Sequence, residues 1–496
     1  MGNIAKKIAK RESVILVFVI FVGLLLRLIN IDQSLWLDEA IGALAARDYT
    51  YSGILDEFIK FDNHPPFYYI ALKFWINLFG QSEIAIRSLS LVFGILTIYL
   101  TYQIARLFDE VKKSVFGFSF PFLVAFLMSI SQFAVYFSQE ARMYQMAAFF
   151  AACVFYFFLL ALKNDKKIYW FLFSLSSIVL LYTDYLPIFF LPVPFLILLF
   201  YKSKYKLLIK PYLISLAPVF FVGLLWLPTF FEQVKNYQYL LSDFSQWKSV
   251  AGGISPKEIS LLWVKIIGGR ISFYPKSLYY GLVIAVSIPV FYVILRGALR
   301  KSLIPVYLWI VTPVLLCILA SFFFPAFNYF RFVFILPAVF ILIAYGIVNL
   351  KNQKIAQICF LTICVFFLIQ NGIYIFDSRQ QRENWREVVK YVEKERDYHK
   401  LAIFSFPEPF APYRWYSKGL IRSVGGINKL GFDLQATKKK VENAIAGKDT
   451  VYYFEYLHEL TDPNKVIEQI IIHNGYSVAS RKDFVGVGIV TTYEKK

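Results

Sequence analysis

Eleven apolar runs, each about as long as a membrane-spanning helix, constrain this chain more than any other feature of its sequence. A helix needs roughly 20 consecutive apolar residues to cross the hydrocarbon core of a bilayer. Hydrophobic residues make up 58% of the 496 positions and charged residues only 17%, which is too little polar surface for a soluble chain of this length. The sequence therefore predicts an α-helical polytopic membrane protein with about 11 transmembrane helices. The runs lie at residues 13–31, 85–107, 115–135, 145–162, 168–182, 186–201, 211–231, 278–295, 303–324, 332–350 and 355–376.

Two of these assignments have an alternative. The run 13–31 could be a signal peptide, but it is long and no small-residue cleavage site follows it, so we expect a retained first span. The runs 168–182 and 186–201 are separated only by Tyr182-Thr183-Asp184-Tyr185, and a single re-entrant hairpin is the alternative to two spans.

Clusters of lysine and arginine, one before the first run and the others in alternate loops, predict the orientation of the chain. Loops rich in these residues face the cytoplasm, so we expect a cytoplasmic N-terminus, a plasma-membrane location and an extracytoplasmic C-terminal segment. Much of the formal net charge of +19 then reflects topology, and no nucleic-acid partner is predicted. The clusters are Lys6/Lys7/Lys10/Arg11, Lys112/Lys113, Lys163/Lys166/Lys167, Lys202/Lys204/Lys206/Lys210, Arg296/Arg300/Lys301 and Lys351/Lys354.

A change in composition divides the chain into a transmembrane domain at 1–376 and a soluble extracytoplasmic domain at 377–496. In the first outer loop, 32–84, a serine followed by acids indicates a helix start, and we expect short helices lying on the membrane surface. The second long outer loop, 232–277, contains Gly252-Gly253 and Gly268-Gly269-Arg270 among aromatic residues, which is typical of a mobile cover.

The C-terminal segment alternates predicted helices and strands, which is typical of a small α/β domain. It contains no glycine-rich phosphate loop, nucleophile elbow or metal-ligand spacing. The four cysteines of the chain lie in apolar runs, so neither a disulfide framework nor a cysteine zinc site is predicted. The predicted elements are helices at 384–396, 437–446 and 462–475, strands at 401–406 and 451–456, and a final hairpin at 476–493.

Polar and charged side chains concentrate at the outer ends of the runs, where they can converge on one cavity. Charged groups at a membrane boundary are functional candidates by default. A carboxylate can take the proton of an attacking hydroxyl, and planar guanidinium groups suit the negative charge of a departing phosphate. With an apolar groove for a lipid tail, this combination predicts glycosyl transfer from a polyprenyl-phosphate-linked sugar to an extracytoplasmic acceptor. The candidates are Asp38, Glu39, His64, Arg87, Glu140, Arg142, Tyr144, Asp184, Tyr329 and Arg331.

Three stretches of the sequence resemble the GT-C glycosyltransferases. Within that superfamily the chain is most similar to the branch of bacterial protein O-mannosyltransferase-like and lipid A aminoarabinose transferase-like enzymes. The order of spans and loops is similar over about residues 14–350, and the motifs are specific over about 27–144. For the C-terminal domain, only its position in the chain is similar. The stretches are Asp38-Glu39, then Asn63-His64-Pro65-Pro66-Phe67-Tyr68-Tyr69 with Phe79-Gly80-Gln81-Ser82-Glu83 and Arg87, and Ser138-Gln139-Glu140-Ala141-Arg142-Met143-Tyr144.

The resemblance implies an inverting, membrane-embedded hexosyl- or pentosyltransferase that uses a lipid-phosphate-linked sugar on the extracytoplasmic side. The family's first-loop acid falls on Asp38, with Glu39 beside it, and its arginine after the third span falls on Arg142. Relatives often have histidine where this chain has Asp184, so the resemblance gives that residue no role. Some relatives bind a divalent metal. Because the outer loops offer one histidine, His64, and no ligand spacing, no cofactor is predicted and a divalent metal is kept as the alternative.

The charged candidates and His64 also have a structural interpretation. Asp38 and Glu39 could be first-turn acids that favour a helix N-terminus. The arginines could anchor span ends in the headgroup layer. His64 could cap a turn, and Glu140 could pair with Arg142. Asp184 could be a polar residue of a turn.

Two other functions are compatible with the chain. A secondary transporter or polyprenyl-lipid flippase would also have many spans, but the sequence shows no convincing internal repeats and its spans carry charge only at their ends. An inactive receptor could bind an envelope ligand through residues 377–496. For the transferase, the acceptor is a protein, a lipid or a cell-envelope glycan, and the sequence selects neither the acceptor nor the sugar.

Overall fold

A computed structural model of the protein describes residues 2–108, 113–243, 252–427 and 433–496, in two compact units. The first, which we call the helical unit, comprises Met1–Ile31, His64–Phe230 and Gly252–Phe376. The second, which we call the α/β unit, comprises Asp32–Asn63, Phe231–Ala251 and Asp377–Lys496. Lys112 and residues 244–251 of the predicted cover lie outside the described residues, as do the side chains of the first basic cluster.

Each of the eleven predicted runs contains helix. Among the described residues, seven helical segments are long and apolar enough to cross a membrane, with mean hydropathy between 1.8 and 2.4, and a bent pair of helices would make eight. The protein is therefore a multi-pass helical membrane protein, as predicted. The seven are Glu83–Leu107, Tyr144–Asn164, Lys202–Tyr239, Lys276–Ala298, Lys301–Ala320, Tyr329–Asn349 and Gln353–Phe376.

The predicted count of about 11 full-length spans exceeds this number because several runs give short or broken helices. The run 168–182 forms the 17-residue helix Lys167–Thr183. The run 186–201 forms a 3-10 turn, Leu186–Phe190, followed by the nine-residue helix Pro192–Phe200, because closely spaced prolines remove backbone donors. The described α-helices of this unit are Gly2–Leu28, Phe67–Phe79, Glu83–Leu107, Phe120–Ile130, Gln132–Ser138, Tyr144–Asn164, Lys167–Thr183, Pro192–Phe200, Lys202–Tyr205, Pro256–Gly268, Lys276–Val293, Ile304–Ala320, Leu336–Asn349 and Gln353–Phe376, and Ile209–Asp243 belongs to both units.

The third predicted run is bent in a way that positions a polar turn. It opens with the short antiparallel strands β1 (Ser114–Val115) and β2 (Phe118–Ser119), and the two helices that follow them meet at an angle of 59°. The guanidinium of Arg27, which is fully buried, donates to Ser138 Oγ at 3.0 Å and to the Ser129 carbonyl at 2.9 Å, one on each arm of the bend. The bend and the turn that follows Ser138 are thus held from inside the unit.

The α/β unit contains a five-stranded mixed sheet. Strands β3 (Lys400–Phe404), β4 (Arg422–Gly425), β5 (Thr450–Phe454), β6 (Tyr476–Phe484) and β7 (Gly488–Lys495) lie in the order β4-β3-β5-β7-β6. β3 is parallel to β4 and β5, and β7 is antiparallel to β5 and β6. Alternate residues of β3 enter two cores, with Ala402 and Phe404 on one face and Leu401 and Ile403 on the other.

The sheet contains every predicted C-terminal strand and one that was missed. The short strand β4 has the polar sequence Arg-Ser-Val-Gly, which lacks the alternation that predicts a strand. The predicted helix 384–396 is shorter and ends at Val392, and the helix Ala411–Tyr416 was not predicted. The other helices of this unit are Leu37–Asp48, Tyr51–Gly53, Ile59–Phe61, Leu434–Ile445, His458–Thr461 and Val466–His473.

The first-loop segment of the α/β unit is hydrogen-bonded to the C-terminal segment. The Leu35 amide donates to Tyr416 Oη at 2.8 Å, and the guanidinium of Arg386 donates to the Asp32 carbonyl at 2.7 Å. The guanidinium carbon of Arg47 lies 4.9 Å from the Trp415 ring centroid. The residues before the helix Leu37–Asp48 and the last turn of that helix therefore both contact the C-terminal segment. The segment 32–63 is therefore part of the α/β unit and contains the expected short helices, and their position on a membrane surface stays a prediction.

The predicted cover at 232–277 is mostly helical in the described residues. Ile209–Asp243 continues a spanning helix through its first part, and Pro256–Gly268 forms a separate helix. Gly252 has a positive φ of 104°, and a Cβ there would lie 2.7 Å from the Phe327 carbonyl oxygen, which explains a glycine at this close approach. That this segment moves as a cover stays a prediction.

Candidate functional site

Arg142 is a buried arginine of the helical unit, and its guanidinium contacts His64 and Tyr69. Arg142 lies in the turn between Gln132–Ser138 and Tyr144–Asn164 and is 4% exposed. Its Nη2 atom is 3.3 Å from Nε2 of His64, and its Nη1 atom donates to Tyr69 Oη at 3.4 Å. Its backbone carbonyl accepts from Ser90 Oγ at 3.2 Å. These contacts fix the orientation of the guanidinium.

A second arginine, which the sequence assigned only to the predicted cover, lies in the same unit. The Arg270 amide donates to Gln132 Oε1 at 2.5 Å, and its guanidinium carbon is 5.4 Å from the Tyr136 ring centroid and 5.9 Å from that of Tyr329. The preceding Gly269 has a φ of 71°, and a Cβ on it would lie 2.4 Å from Gln132 Oε1. Only glycine fits there, so the Gly-Gly-Arg sequence was the signal that could have identified Arg270.

Aromatic rings connect the two arginine-bearing segments. Tyr144 contacts Phe330 at a centroid distance of 5.4 Å, and Phe330 contacts Tyr329 at 5.6 Å. Phe133 in turn lies 6.3 Å from Tyr329. Tyr144 and Tyr329, both predicted from the sequence, therefore belong to one aromatic wall.

A buried lysine, Lys265, lies near Arg270. Lys265 is 7% exposed, and its Nζ donates to the Ile271 carbonyl at 2.8 Å and lies 5.2 Å from the Tyr279 ring centroid. Burial, together with the charges of Arg270 and Lys276, lowers the pKa of Lys265 to about 7. The amine can therefore lose its proton near neutral pH.

Other predicted residues have contacts that serve the local structure. Buried Arg87 donates to the Ile31 carbonyl at 2.8 Å, and half-buried Arg331 donates to the Ala326 carbonyl at 3.2 Å in its own turn. Asp184 Oδ1 accepts from the Leu186 amide at 3.4 Å, whereas its buried Oδ2 has no partner in the part of the chain that the structure describes. Glu140 is buried, and its carbonyl accepts from the Arg142 amide at 2.8 Å. Substrate contacts for these residues stay predictions.

The two predicted catalytic acids lie in the first turn of the helix Leu37–Asp48, in the α/β unit. Glu39 is fully buried, and its Oε2 accepts from the Trp36 amide at 3.4 Å, which caps its own helix. Asp38 is only half-buried. This difference favours Asp38 over Glu39 as the acid that meets a substrate.

A third carboxyl group, missed by the sequence, is close enough to Asp38 to interact with its charge. Glu383 accepts from Trp385 Nε1 at 2.7 Å and from Tyr456 Oη at 2.9 Å, and it is hydrogen-bonded to the backbone of Leu37. Burial raises its pKa to about 7, and the charge of Asp38 adds to the shift while the hydrogen bonds oppose it. No local pattern could reveal this pair, because about 345 residues separate its members.

A divalent-metal site would need a group of neighbouring His, Cys, Asp or Glu side chains. Within the ranges that the structure describes, no group of three or more lies together as a set of metal ligands. The predicted divalent-metal alternative therefore has no ligand set among them.

Comparison with known proteins confirms the predicted resemblance to GT-C membrane glycosyltransferases, in one segment of the sequence and in the fold. Residues 63–227 match the family described as dolichyl-phosphate-mannose-protein mannosyltransferase. That segment includes His64, Arg87, Glu140, Arg142, Tyr144 and Asp184. No curated protein sequence matches the chain.

Two solved proteins have a similar fold. ArnT from Cupriavidus metallidurans is similar in its apo state, with a TM-score of 0.59 and 12% identity, and in its complex with undecaprenyl phosphate, with a TM-score of 0.60 and 13% identity. Both comparisons cover 98% of this chain and 98% of ArnT. The oligosaccharyltransferase of Archaeoglobus fulgidus has a TM-score of 0.51 and 12% identity over 97% of this chain and 73% of its own. The shared fold includes the C-terminal segment in the case of ArnT.

Proposed function

We propose that this protein is an inverting glycosyltransferase that moves a sugar from a polyprenyl-phosphate-linked donor to an extracytoplasmic acceptor. The observation that carries the proposal is the buried Arg142 guanidinium, oriented by His64 and Tyr69 inside the segment that matches the mannosyltransferase family. The ArnT structure bound to undecaprenyl phosphate supports a polyprenyl-phosphate donor for this fold. The acceptor class is a protein, a lipid or a cell-envelope glycan.

In the proposed reaction, an acceptor hydroxyl oxygen attacks the anomeric carbon while the bond from that carbon to the phosphate oxygen breaks. A single displacement of this kind inverts the configuration at the anomeric carbon. Asp38 accepts the hydroxyl proton, and the bonding electrons leave with the phosphate. Arg142 and Arg270 stabilise the phosphate charge, which planar guanidinium groups do well.

The remaining roles extend the same proposal. Glu39 supports the helix that carries Asp38, and His64 and Tyr69 orient Arg142. Tyr144 and Tyr329 line the donor site, and the segment 232–277 closes over the bound donor. The basic loops face the cytoplasm and residues 377–496 form the extracytoplasmic domain.

The test is donor consumption by the purified protein in lipid, with a panel of polyprenyl-phosphate sugars. We expect the wild type to consume one donor and Asp38→Asn to lose about 10²–10⁴-fold in rate, the usual contribution of a general base. Asp48→Asn is the matched control, because Asp48 is an exposed acid at the other end of the same helix.

Full activity in Asp38→Asn would reject Asp38 as the base and direct attention to Glu39. Movement of a labelled polyprenyl-phosphate sugar across sealed vesicles without any sugar transfer, and independent of Asp38, would instead support the flippase.

A further inference from the structure

Two buried glutamines from different helices hold the backbone on either side of Gly269. Gln132 Oε1 accepts from the Arg270 amide at 2.5 Å, and Gln370 Nε2 donates to the Ile267 carbonyl at 2.8 Å. Ile267 lies in the last turn of its helix, where a carbonyl has no partner within the helix. The turn that carries Arg270 is therefore fixed from two sides by side chains that are remote in sequence.

The two amides meet at the glycine itself. A Cβ on Gly269 would lie 2.4 Å from Gln132 Oε1 and 3.1 Å from Gln370 Oε1. The positive φ of 71° at this residue also favours glycine. The turn and the two amides therefore fit together only while this position has no side chain.

These amides are costly to bury. A polar group in a membrane-spanning helix costs free energy unless it is hydrogen-bonded. Gln370 lies in the spanning helix Gln353–Phe376. In the same helix, Asn371 Nδ2 donates to the Ile130 carbonyl at 2.8 Å, at the bend before Gln132.

Each glutamine is only half satisfied. Among the described residues, Gln132 Nε2 and Gln370 Oε1 have no hydrogen-bond partner. An apolar side chain of the same size would avoid this cost and would pack as well. The half of each amide that is satisfied holds the turn at Gly269, which indicates a role in positioning that turn rather than in stability.

The helix Gln132–Ser138 contacts both the backbone and the side chain of Arg270. Gln132 binds its amide, and the ring centroid of Tyr136, one turn later, lies 5.4 Å from its guanidinium carbon. The same helix ends immediately before the turn that carries Arg142. Both arginines proposed to stabilise the phosphate are thus positioned by one short helix.

We propose that Gln132 and Gln370 are positioning residues that hold the turn at Gly269 and thereby set where the Arg270 guanidinium meets the donor phosphate. The inference rests on the proposed function, which assigns that phosphate to Arg270. In this proposal neither glutamine touches the reacting atoms, and both act through Arg270. Their removal should therefore weaken phosphate binding only while Arg270 is present.

The test is a double-mutant cycle on the full-length protein in phosphatidylcholine nanodiscs, with geranyl phosphate as the soluble probe. Methionine has nearly the size of glutamine but lacks the amide, so the variants are Gln132→Met, Gln370→Met and Arg270→Met, alone and combined. We expect Arg270→Met to weaken binding of the probe at least tenfold, and each glutamine variant at least fivefold. In the Arg270→Met background, each glutamine substitution should weaken binding less than twofold, because residues that act through one another are not additive.

Gln145→Met is the matched control. Gln145 is also a buried glutamine in a helix, its Nε2 donates to Thr97 Oγ1 at 3.3 Å, and its Oε1 has no partner in the described part of the chain. This variant should bind the probe like the wild type, since it does not contact the turn.

Hydrogen exchange is the second measurement, because it reports the turn directly. Residues 268–272 should exchange faster in Gln132→Met than in Gln145→Met, since the Arg270 amide loses its acceptor. Gln132→Asn keeps an amide but is one methylene shorter, and it should lose as much affinity as Gln132→Met. It replaces Gln132→Met in the cycle if that variant does not fold.

Three outcomes would overturn the inference. The first is an equal loss of affinity with and without Arg270, which would show that the glutamines only support the fold. The second is wild-type affinity in both glutamine variants while Arg270→Met loses affinity; in that case the proposed function stands and this inference fails alone. The third is wild-type affinity in Arg270→Met, which would also reject the phosphate role of Arg270 in the proposed function.

Discussion

At the scale of single residues, the orientation of Arg142 matters as much as its charge. His64 and Tyr69 contact different nitrogen atoms of its guanidinium, so the plane of the group is fixed before any ligand arrives. Such preorganisation is what makes a charged group effective in stabilising a transition state. The sequence predicted Arg142 because it lies in a specific motif, whereas Arg270 was missed because its cue was only a glycine pair.

We expect Arg142→Lys to lower the rate of donor consumption by about 10²–10³-fold, because a lysine ammonium cannot reproduce the planar set of donors. The measurement is turnover with the active donor, with Arg106→Lys as a control at an exposed helix end. Wild-type turnover in Arg142→Lys would show that a point charge suffices and that the fixed orientation is unimportant.

Gly269→Ala should misplace Arg270 and reduce activity at least tenfold. The added methyl group would clash with Gln132 Oε1 and would force alanine into a positive-φ conformation. Gly281→Ala is the matched control, because a Cβ at that position meets nothing within 4 Å. Turnover of both variants, normalised to the folded fraction, tests the prediction, and equal turnover would remove Arg270 from the site.

At the scale of elements, the apolar runs correctly predicted where helices form. They overestimated the length of several of these helices. All eleven runs contain helix because in a membrane the backbone must satisfy its own hydrogen bonds. The bend after Ile130 and the proline-rich segment 186–201 depend on tertiary packing and on proline spacing, which hydropathy does not report. The contact between the first-loop helix and Glu383 was likewise unpredictable, since it joins distant parts of the chain.

The Glu383 carboxyl should make the stability of the α/β unit depend on pH. Its pKa rises from 4.5 to about 7 on folding, so between these values the folded state holds a proton that the unfolded state has lost. Stability should therefore decrease as pH rises from about 4.5 to 7 and then level off, by at most about 3 kcal/mol. Hydrogen exchange of the helix Trp385–Val392 in the full-length protein measures the effect.

In this experiment Glu383→Gln should flatten the dependence on pH, whereas Glu387→Gln, at an exposed acid on the same helix, should retain it. An unchanged slope in Glu383→Gln would assign the titration to another group.

At the scale of the whole molecule, the predicted orientation can be tested directly. The four native cysteines are buried and should react little with thiol reagents. A cysteine replacing Lys166 should be labelled by an impermeant reagent only after the membrane is opened, and one replacing Lys438 should be labelled in intact cells. Labelling of both in intact cells, or of neither, would contradict the orientation, and total labelling in detergent is the control.

The α/β unit is assembled from segments near the start, the middle and the end of the chain. About 345 residues separate Asp38 from Glu383, and at about 5–20 residues per second the ribosome needs about 20–70 s to make them. For that time the acid-bearing segment exists without its partners in the sheet domain. A nascent or prematurely terminated chain can insert its helices, but it cannot complete the environment of Asp38 in the α/β unit. We therefore expect activity only after the last strand has been synthesised.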